Sequence, residues 1–240
     1  YQPKITLGTG KLAGFEALLR WQHPRRGIQG PGQIAAAFAD PDLAEAISVR
    51  MFDLVAARMR AWLEAGLAFG HVGVNASAAE FLREGFAERV LGQLQEAGVP
   101  PQHLELEVTE SVLLGDQADH ADRMLRTLSE AGVRIALDDF GTGFASLTHL
   151  KRFPVNTIKI DQSFVRDLGT DMGGGAIIQA VIGLGQNLGM TVVAEGVETE
   201  EQFLFLQRHR CHVGQGFFFG RPADAASAEA LLTAGLTAGI

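Results

Sequence analysis

Seven short apolar runs in this chain stop at a polar residue able to do chemistry. Glu16 lies in Phe-Glu-Ala-Leu-Leu-Arg-Trp, Asn75 closes Val-Gly-Val-Asn, and Glu107 sits in Leu-Glu-Leu-Glu-Val-Thr-Glu. Asp138 and Asp139 end Ile-Ala-Leu-Asp-Asp, while Lys159 and Asp161 end Ile-Lys-Ile-Asp. Glu195 follows Val-Val-Ala, and Gln215 follows His-Val-Gly. Any one of these is as readily a turn cap as a functional group. Capping explains the set poorly, because it includes six carboxylates: Glu16, Glu107, Asp138, Asp139, Asp161 and Glu195.

Carboxylates that face one another without cations repel and become partly protonated, so a metal is the natural resolution. Oxygen donors from Glu, Asp and Asn, with no Cys or His among them, suit Mg²⁺ or Mn²⁺ better than zinc. The pair Asp138-Asp139 can serve two ions, or bridge them, if the backbone turns at the following Phe140-Gly141-Thr142-Gly143. Two ions about 4 Å apart stabilise both the attacking and the leaving oxygen of a phosphodiester. Lys159 and Asp161 are two apart and share a face on an extended strand. Lys159 is therefore read as holding the attacking water and Asp161 as orienting the ammonium; a surface ion pair is the plainer reading. Arg20 offers a fork of donors for a phosphate, with a barrel-rim salt bridge as the alternative.

Short β-rich runs alternate with amphipathic helical stretches, the pattern of a parallel sheet built from βα units. Strands are expected at 2–7, 12–20, 71–75, 103–108, 134–138, 157–160, 191–194 and 213–217. Helices are expected at about 43–65, 78–97, 119–131, 144–151, 174–188, 200–208 and 226–234. Gly66, Gly98, Gly132 and Gly189 each follow a helical run, as C-terminal caps do. Eight strands with interleaved helices point to a closed, TIM-like (β/α)8 barrel, whose active site opens at the C-terminal strand ends. The stretch around Gly8-Thr9-Gly10 is too short for a parallel crossover, so the first strand is expected antiparallel to the second. A doubly wound open sheet is the alternative.

The 240 residues suit one domain, and no linker or low-complexity segment divides them. No run approaches the roughly 20 apolar residues of a membrane helix. One cysteine, Cys211, excludes an internal disulfide and fits a cytoplasmic setting. A net charge of −8 argues against a DNA or RNA polymer as partner, though bound cations would still admit a small phosphorylated ligand. The opening Tyr1-Gln2-Pro3, with neither Met nor signal segment, suggests a domain taken from a longer protein. The seven histidines are scattered without metal-ligand spacing and read as surface or turn residues. Neither a nucleophile elbow nor a GxGxxG fingerprint after a strand is found.

In order along nearly the whole chain, these motifs closely resemble the EAL-domain phosphodiesterases of bacterial second-messenger signalling. The resemblance rests on Tyr1-Gln2-Pro3, Glu16-Ala17-Leu18, Val74-Asn75-Ala76-Ser77 and Glu107-Val108-Thr109-Glu110-Ser111. It continues through Asp138-Asp139-Phe140-Gly141-Thr142-Gly143, Lys159-Ile160-Asp161, Ala194-Glu195-Gly196-Val197-Glu198-Thr199 and Gly214-Gln215-Gly216.

The resemblance implies a barrel with its first strand reversed, and Mg²⁺- or Mn²⁺-dependent hydrolysis of cyclic dimeric GMP to the linear pGpG. By motif position Glu16, Asn75, Glu107 and Asp138 match metal ligands, and Asp139 matches a ligand of the second ion. Lys159 and Glu195 match groups that govern the water, and Glu110 matches the anchor of the Asp139–Gly143 loop. Gln2, Arg20, Glu198 and Gln215 match substrate or site-shaping positions. The resemblance also implies a homodimer through helices beside that loop, and a covalently linked regulatory domain. Ca²⁺ is expected to support binding but little hydrolysis.

Two stretches depart from the family pattern. Gln33-Ile34-Ala35-Ala36-Ala37-Phe38 replaces the usual Phe-Ile-Pro and Ala-Glu pattern, and Gly143-Phe144-Ala145-Ser146 lacks two usual hydroxyls. A catalytically inactive receptor of the same fold is the competing reading. Such relatives lack one or more metal-binding carboxylates, and this chain keeps them all.

Overall fold

The first strand of the closed sheet runs backwards, between the second and the last. The structure, a computed structural model, describes residues 1–38, 40–81, 83–114, 118–143, 147–168 and 172–235. The strands are β1 (Gln2–Thr6), β2 (Leu12–Ala17), β3 (Trp21–His23), β4 (Gly27–Gln29), β5 (His71–Ala76), β6 (Leu104–Thr109), β7 (Arg134–Phe140), β8 (Thr157–Ile160), β9 (Thr191–Ala194) and β10 (Val213–Gln215). Eight of them close in the order β1-β10-β9-β8-β7-β6-β5-β2, with β1 antiparallel to both its neighbours. The others pair in parallel, and closure of the ring excludes the open sheet. The Gly10 amide donates to Thr6 O at 2.8 Å, and Gly10 takes φ 68°, so the reversal needs only a tight turn.

Side-chain alternation divides each strand between lumen and outer layer. In β6, Leu104, Leu106 and Val108 pack outward while Glu105 and Glu107 point into the barrel, and all five are buried. The outer core includes Phe15, Val72, Ile135, Ile158 and Val192, covered by the surrounding helices. The longest, Pro41–Glu64, begins where the Asp40 carboxylate accepts from the amides of Asp42 and Leu43 at 3.0 and 3.1 Å. It buries Phe52, Val55, Met59 and Trp62. None of the described helices is long and apolar enough to cross a membrane.

Some elements differ from the sequence pattern. The helix expected over 78–97 is two, Ala78–Phe81 and Phe86–Ala97, because Gly85 sits between them at φ 79°. A separate hairpin, β3–β4, follows β2, and Pro31–Ile34 with Ala35–Phe38 form helical turns across the divergent stretch. Short helices Glu110–Leu114 and Gln162–Arg166 follow β6 and β8. Of the helix expected at 144–151, residues 147–152 form one, and the divergent 144–146 lie outside the described residues.

Trp62 ties the reversed strand to this shell. It is fully buried, with its ring centroid 5.3 Å from Tyr1, 5.5 Å from Phe15 and 5.3 Å from Phe69. Trp62→Ala is expected to cost about 3–5 kcal/mol of stability in urea unfolding; a change below about 1 kcal/mol would deny it this role.

Candidate active site

The C-terminal mouth of the barrel gathers residues from seven strands around one ammonium. Lys159, on β8, is 1% exposed. Its Nζ lies 2.7 Å from Glu195 Oε1, 3.0 Å from Asp138 Oδ1 and 3.8 Å from Glu16 Oε2. It also donates to Glu107 Oε2. Burial alone would lower the Lys159 pKa, but Glu107, Glu16, Glu195 and Asp138 outweigh it and hold the ammonium well above its ordinary value.

The two central glutamates are held differently. Glu16 accepts from neutral amides, Asn75 Nδ2 at 2.8 Å and Gln215 Nε2 at 2.6 Å. Glu107 accepts from two ammoniums, Lys159 on Oε2 and Lys4 on Oε1 at 2.6 Å. Burial and the neighbouring Glu107 push Glu16 upward. Glu107 is drawn downward, because Lys159 and Lys4 outweigh its own burial.

The Asp138-Asp139 pair depends on an irregularity within β7. Adjacent residues on a regular strand point to opposite faces. Here the β7–β8 register shifts between Leu137 and Phe140, and Asp139 takes φ 53°, a left-handed conformation that Asp tolerates better than most residues. Both carboxylates therefore reach one opening. Oxygens of Asp138, Asp139 and Glu195 lie within 4.8 Å of one another. The sharp backbone change thus begins at Asp139 itself, earlier than the Phe140–Gly143 turn expected from sequence. Glu110 accepts from the Gly141 amide at 3.0 Å. At Gly143 a Cβ would fall 2.2 Å from Glu110 Oε2, so the loop passes too close for a side chain.

Other expected residues fall at the rim or one step away. Gln2, buried on β1, accepts from Gln215 Nε2 at 3.1 Å and donates to Gly220 O at 3.2 Å. Arg20 is exposed; its Nη1 donates to Leu19 O at 2.8 Å, and among the described residues no carboxylate pairs with it. Glu198 is exposed beside a cavity of about 240 Å³ that Gln2, Glu16, Asp138, Glu195 and Gln215 also line. A second cavity, of about 540 Å³, lies along Arg20, Asn75, Ser77 and Thr109, with Leu18 facing both.

The structure corrects the role of Asp161. Strand β8 ends at Ile160, and the Asp161 carboxylate caps the next helix, accepting from the Ser163 amide at 3.0 Å and from its hydroxyl. It does not pair with Lys159, whose carboxylate partners are Glu16, Glu107, Asp138 and Glu195. Asp161 bears instead on Asp139, which burial, Asp138 and Asp161 push upward.

Sequence reasoning missed three residues beneath the mouth: Lys4, Glu105 and His71. Lys4 Nζ lies 2.6 Å from Glu105 Oε1, and His71 Nε2 lies 3.4 Å from the same oxygen. The signal was present in Leu104-Glu105-Leu106-Glu107, where alternation puts both glutamates on one face.

The barrel carries at its mouth an acidic cluster, Asp138, Asp139 and Glu195, whose oxygens are close enough together to hold a metal ion. Residues 1–222 match the EAL domain, and the chain belongs to that family. It is 43% identical over 225 residues to the bifunctional diguanylate cyclase/cyclic di-GMP phosphodiesterase MucR of Pseudomonas aeruginosa, covering 94% of this chain and 33% of MucR. The solved MucR phosphodiesterase in complex with c-di-GMP superposes with a TM-score of 0.91 at 42% identity, covering 95% of this chain and 92% of that one. A manganese/c-di-GMP complex of BlrP1 from Klebsiella pneumoniae gives a TM-score of 0.79 at 31% identity, covering 92% and 55%. The chain spans about a third of the length of the curated relatives it matches.

Burial, with Asp138 and Glu16 nearby, pushes Glu195 up to about 8 against the pull of Lys159. The folded chain therefore holds a proton that the unfolded chain releases near its ordinary value of 4.5. That contribution to stability is full below 4.5 and disappears as pH rises through 8. In chelator, the melting temperature of the wild type relative to Glu195→Gln should fall between pH 5 and pH 8. A difference that stays flat across this range would contradict the shift.

Proposed function

We propose that this chain is a metal-dependent phosphodiesterase that hydrolyses cyclic dimeric GMP to linear pGpG. One water is consumed and one phosphorus–oxygen bond is broken. The observation that carries the reading is the complete set of carboxylates around Lys159, within a family whose relative MucR is named for this activity. A receptor built on the same barrel would have no need of them all.

The residues fit a hard divalent cation. Five carboxylates, Glu16, Glu107, Asp138, Asp139 and Glu195, stand with Asn75 at the mouth, and burial together with their mutual repulsion pushes Glu16, Asp139 and Glu195 upward. Glu16, Asn75, Glu107 and Asp138 would hold one Mg²⁺ or Mn²⁺, and Asp139 with Asp138 a second. Bound there, the ions supply charge stabilisation to the attacking and leaving oxygens.

The chain's own groups do the rest. Glu195 accepts the proton of the attacking water, and Lys159, whose Nζ lies 2.7 Å from the same carboxylate, helps to hold that water. Gln2 and Gln215 form a neutral floor, Arg20 clamps a phosphate, and Glu198 faces the ligand from the rim. Glu110 keeps Asp139 in place through Gly141. The two cavities that meet at Leu18 offer room for a ring of two nucleotides. Relatives roughly three times as long as the match support a covalently linked regulatory domain. A cytoplasmic setting is part of the same reading. A homodimer through the helices beside the Asp139–Gly143 loop completes the reading.

Purified protein incubated with cyclic dimeric GMP and Mg²⁺ or Mn²⁺ should yield pGpG, whereas Ca²⁺ should support binding with little product. Glu16→Ala should abolish turnover. Binding without linear product would establish the receptor instead, and full turnover by Glu16→Ala would remove Glu16 from the metal site.

A further inference from the structure

Lys4 lies outside every role assigned above, yet it is a fully buried charge inside the barrel. It sits on the reversed strand β1, two residues beyond Gln2 and on the same face, one layer below the mouth. It is 1% exposed, and its ammonium contacts Glu105 and Glu107 at 2.6 Å each. Strands β1 and β6 are not neighbours in the barrel, so both contacts cross the lumen. Burying an ammonium costs several kcal/mol after relaxation. An apolar side chain would fill the same space without that cost.

We propose that Lys4 is a positioning residue that fixes the Glu107 carboxylate for metal binding, with Glu105 serving to hold Lys4. The inference rests on the reading of Glu107 as a metal donor. Three observations support it. Glu107 is gripped on both oxygens, by Lys159 from the mouth side and by Lys4 from below, so one grip persists when Lys159 turns to water or substrate. The neighbouring strand makes room for that grip: a Cβ at Gly73 would stand 2.0 Å from Glu107 Oε1 and 2.8 Å from Lys4 Nζ. Finally, Lys4 cannot swing away, because Glu105 is itself anchored by the Thr157 hydroxyl at 3.0 Å and lies 3.4 Å from His71 Nε2. Burial would lower Lys4, but Glu107 and Glu105 outweigh it and keep the ammonium charged.

Groups that orient a metal ligand from behind typically account for about 10- to 100-fold in affinity or activity. The double variant Lys4→Met/Glu105→Gln removes the ammonium without stranding a buried carboxylate. Calorimetric titration of metal-free protein with Mn²⁺ should show roughly tenfold weaker binding than wild type. With cyclic dimeric GMP, kcat should fall by a similar factor while KM stays within about twofold, since Lys4 touches no substrate. Unchanged Mn²⁺ affinity, or a loss confined to KM, would overturn the role. If the double variant fails to melt cooperatively, Thr157→Val decides: nearly isosteric and neutral, it loosens Glu105 and should weaken Mn²⁺ binding by about threefold. No change there would also overturn the role. Wild-type protein that neither binds Mn²⁺ nor cleaves the dinucleotide would instead sink the underlying reading of the site.

Discussion

Charge held inside a closed barrel governs this structure. Moving an ion out of water into a protein interior costs several kcal/mol even after relaxation, so each buried charge needs a partner of the opposite sign. The lumen meets this need with a chain running upward: Glu105, Lys4, Glu107, Lys159, then Glu16, Asp138 and Glu195 together. At the sealed lower end carboxylate and ammonium alternate. At the open end one ammonium faces several carboxylates. The interior is thus nearly compensated where water cannot reach and strongly acidic where it can, a gradient that favours divalent cations at the mouth alone.

The fold delivers this chain through two departures from a regular parallel barrel. Reversal of β1 puts Gln2 at the mouth and Lys4 below it, an order opposite to that along the parallel strands. The register shift in β7 sends two consecutive carboxylates to one opening. A regular strand would bury one of them in the outer layer, among Leu137 and Phe140. Gly73 and Gly143 permit a third adjustment, the close passage of backbone beside Glu107 and Glu110.

Much of this was legible in the sequence, because apolar runs that end in acids are hard to reconcile with any other use of a strand end. That pattern placed Glu16, Glu107, Asp138, Asp139 and Glu195 at the mouth. The barrel followed from eight strands with interleaved helices, and its reversed strand from the short connection around Gly8-Thr9-Gly10. What stayed hidden depended on where elements stop. Asp161 shares a face with Lys159 only if the strand continues past Ile160, and a helix begins there instead. Gly85 divides what reads as one amphipathic helix. Lys4 carries no signal of its own, since nothing in the local sequence around it names a partner. Only closure of the barrel reveals that its partner lies 101 residues away on β6.

The contrast between Glu16 and Glu107 shows how the site separates anchoring from capture. Glu107, matched by an ammonium on each oxygen, stays charged whatever else is bound. Glu16 receives its two hydrogen bonds from Asn75 and Gln215, which satisfy its oxygens without cancelling its charge. Had lysines stood at those two positions, the mouth would be compensated and its attraction for a divalent cation lost. Burial and neighbouring carboxylates push Glu16, Asp139 and Glu195 upward, whereas two ammoniums draw Glu107 downward. Neutral amides above and ammoniums below therefore act together, one set leaving charge available and the other keeping its frame in place.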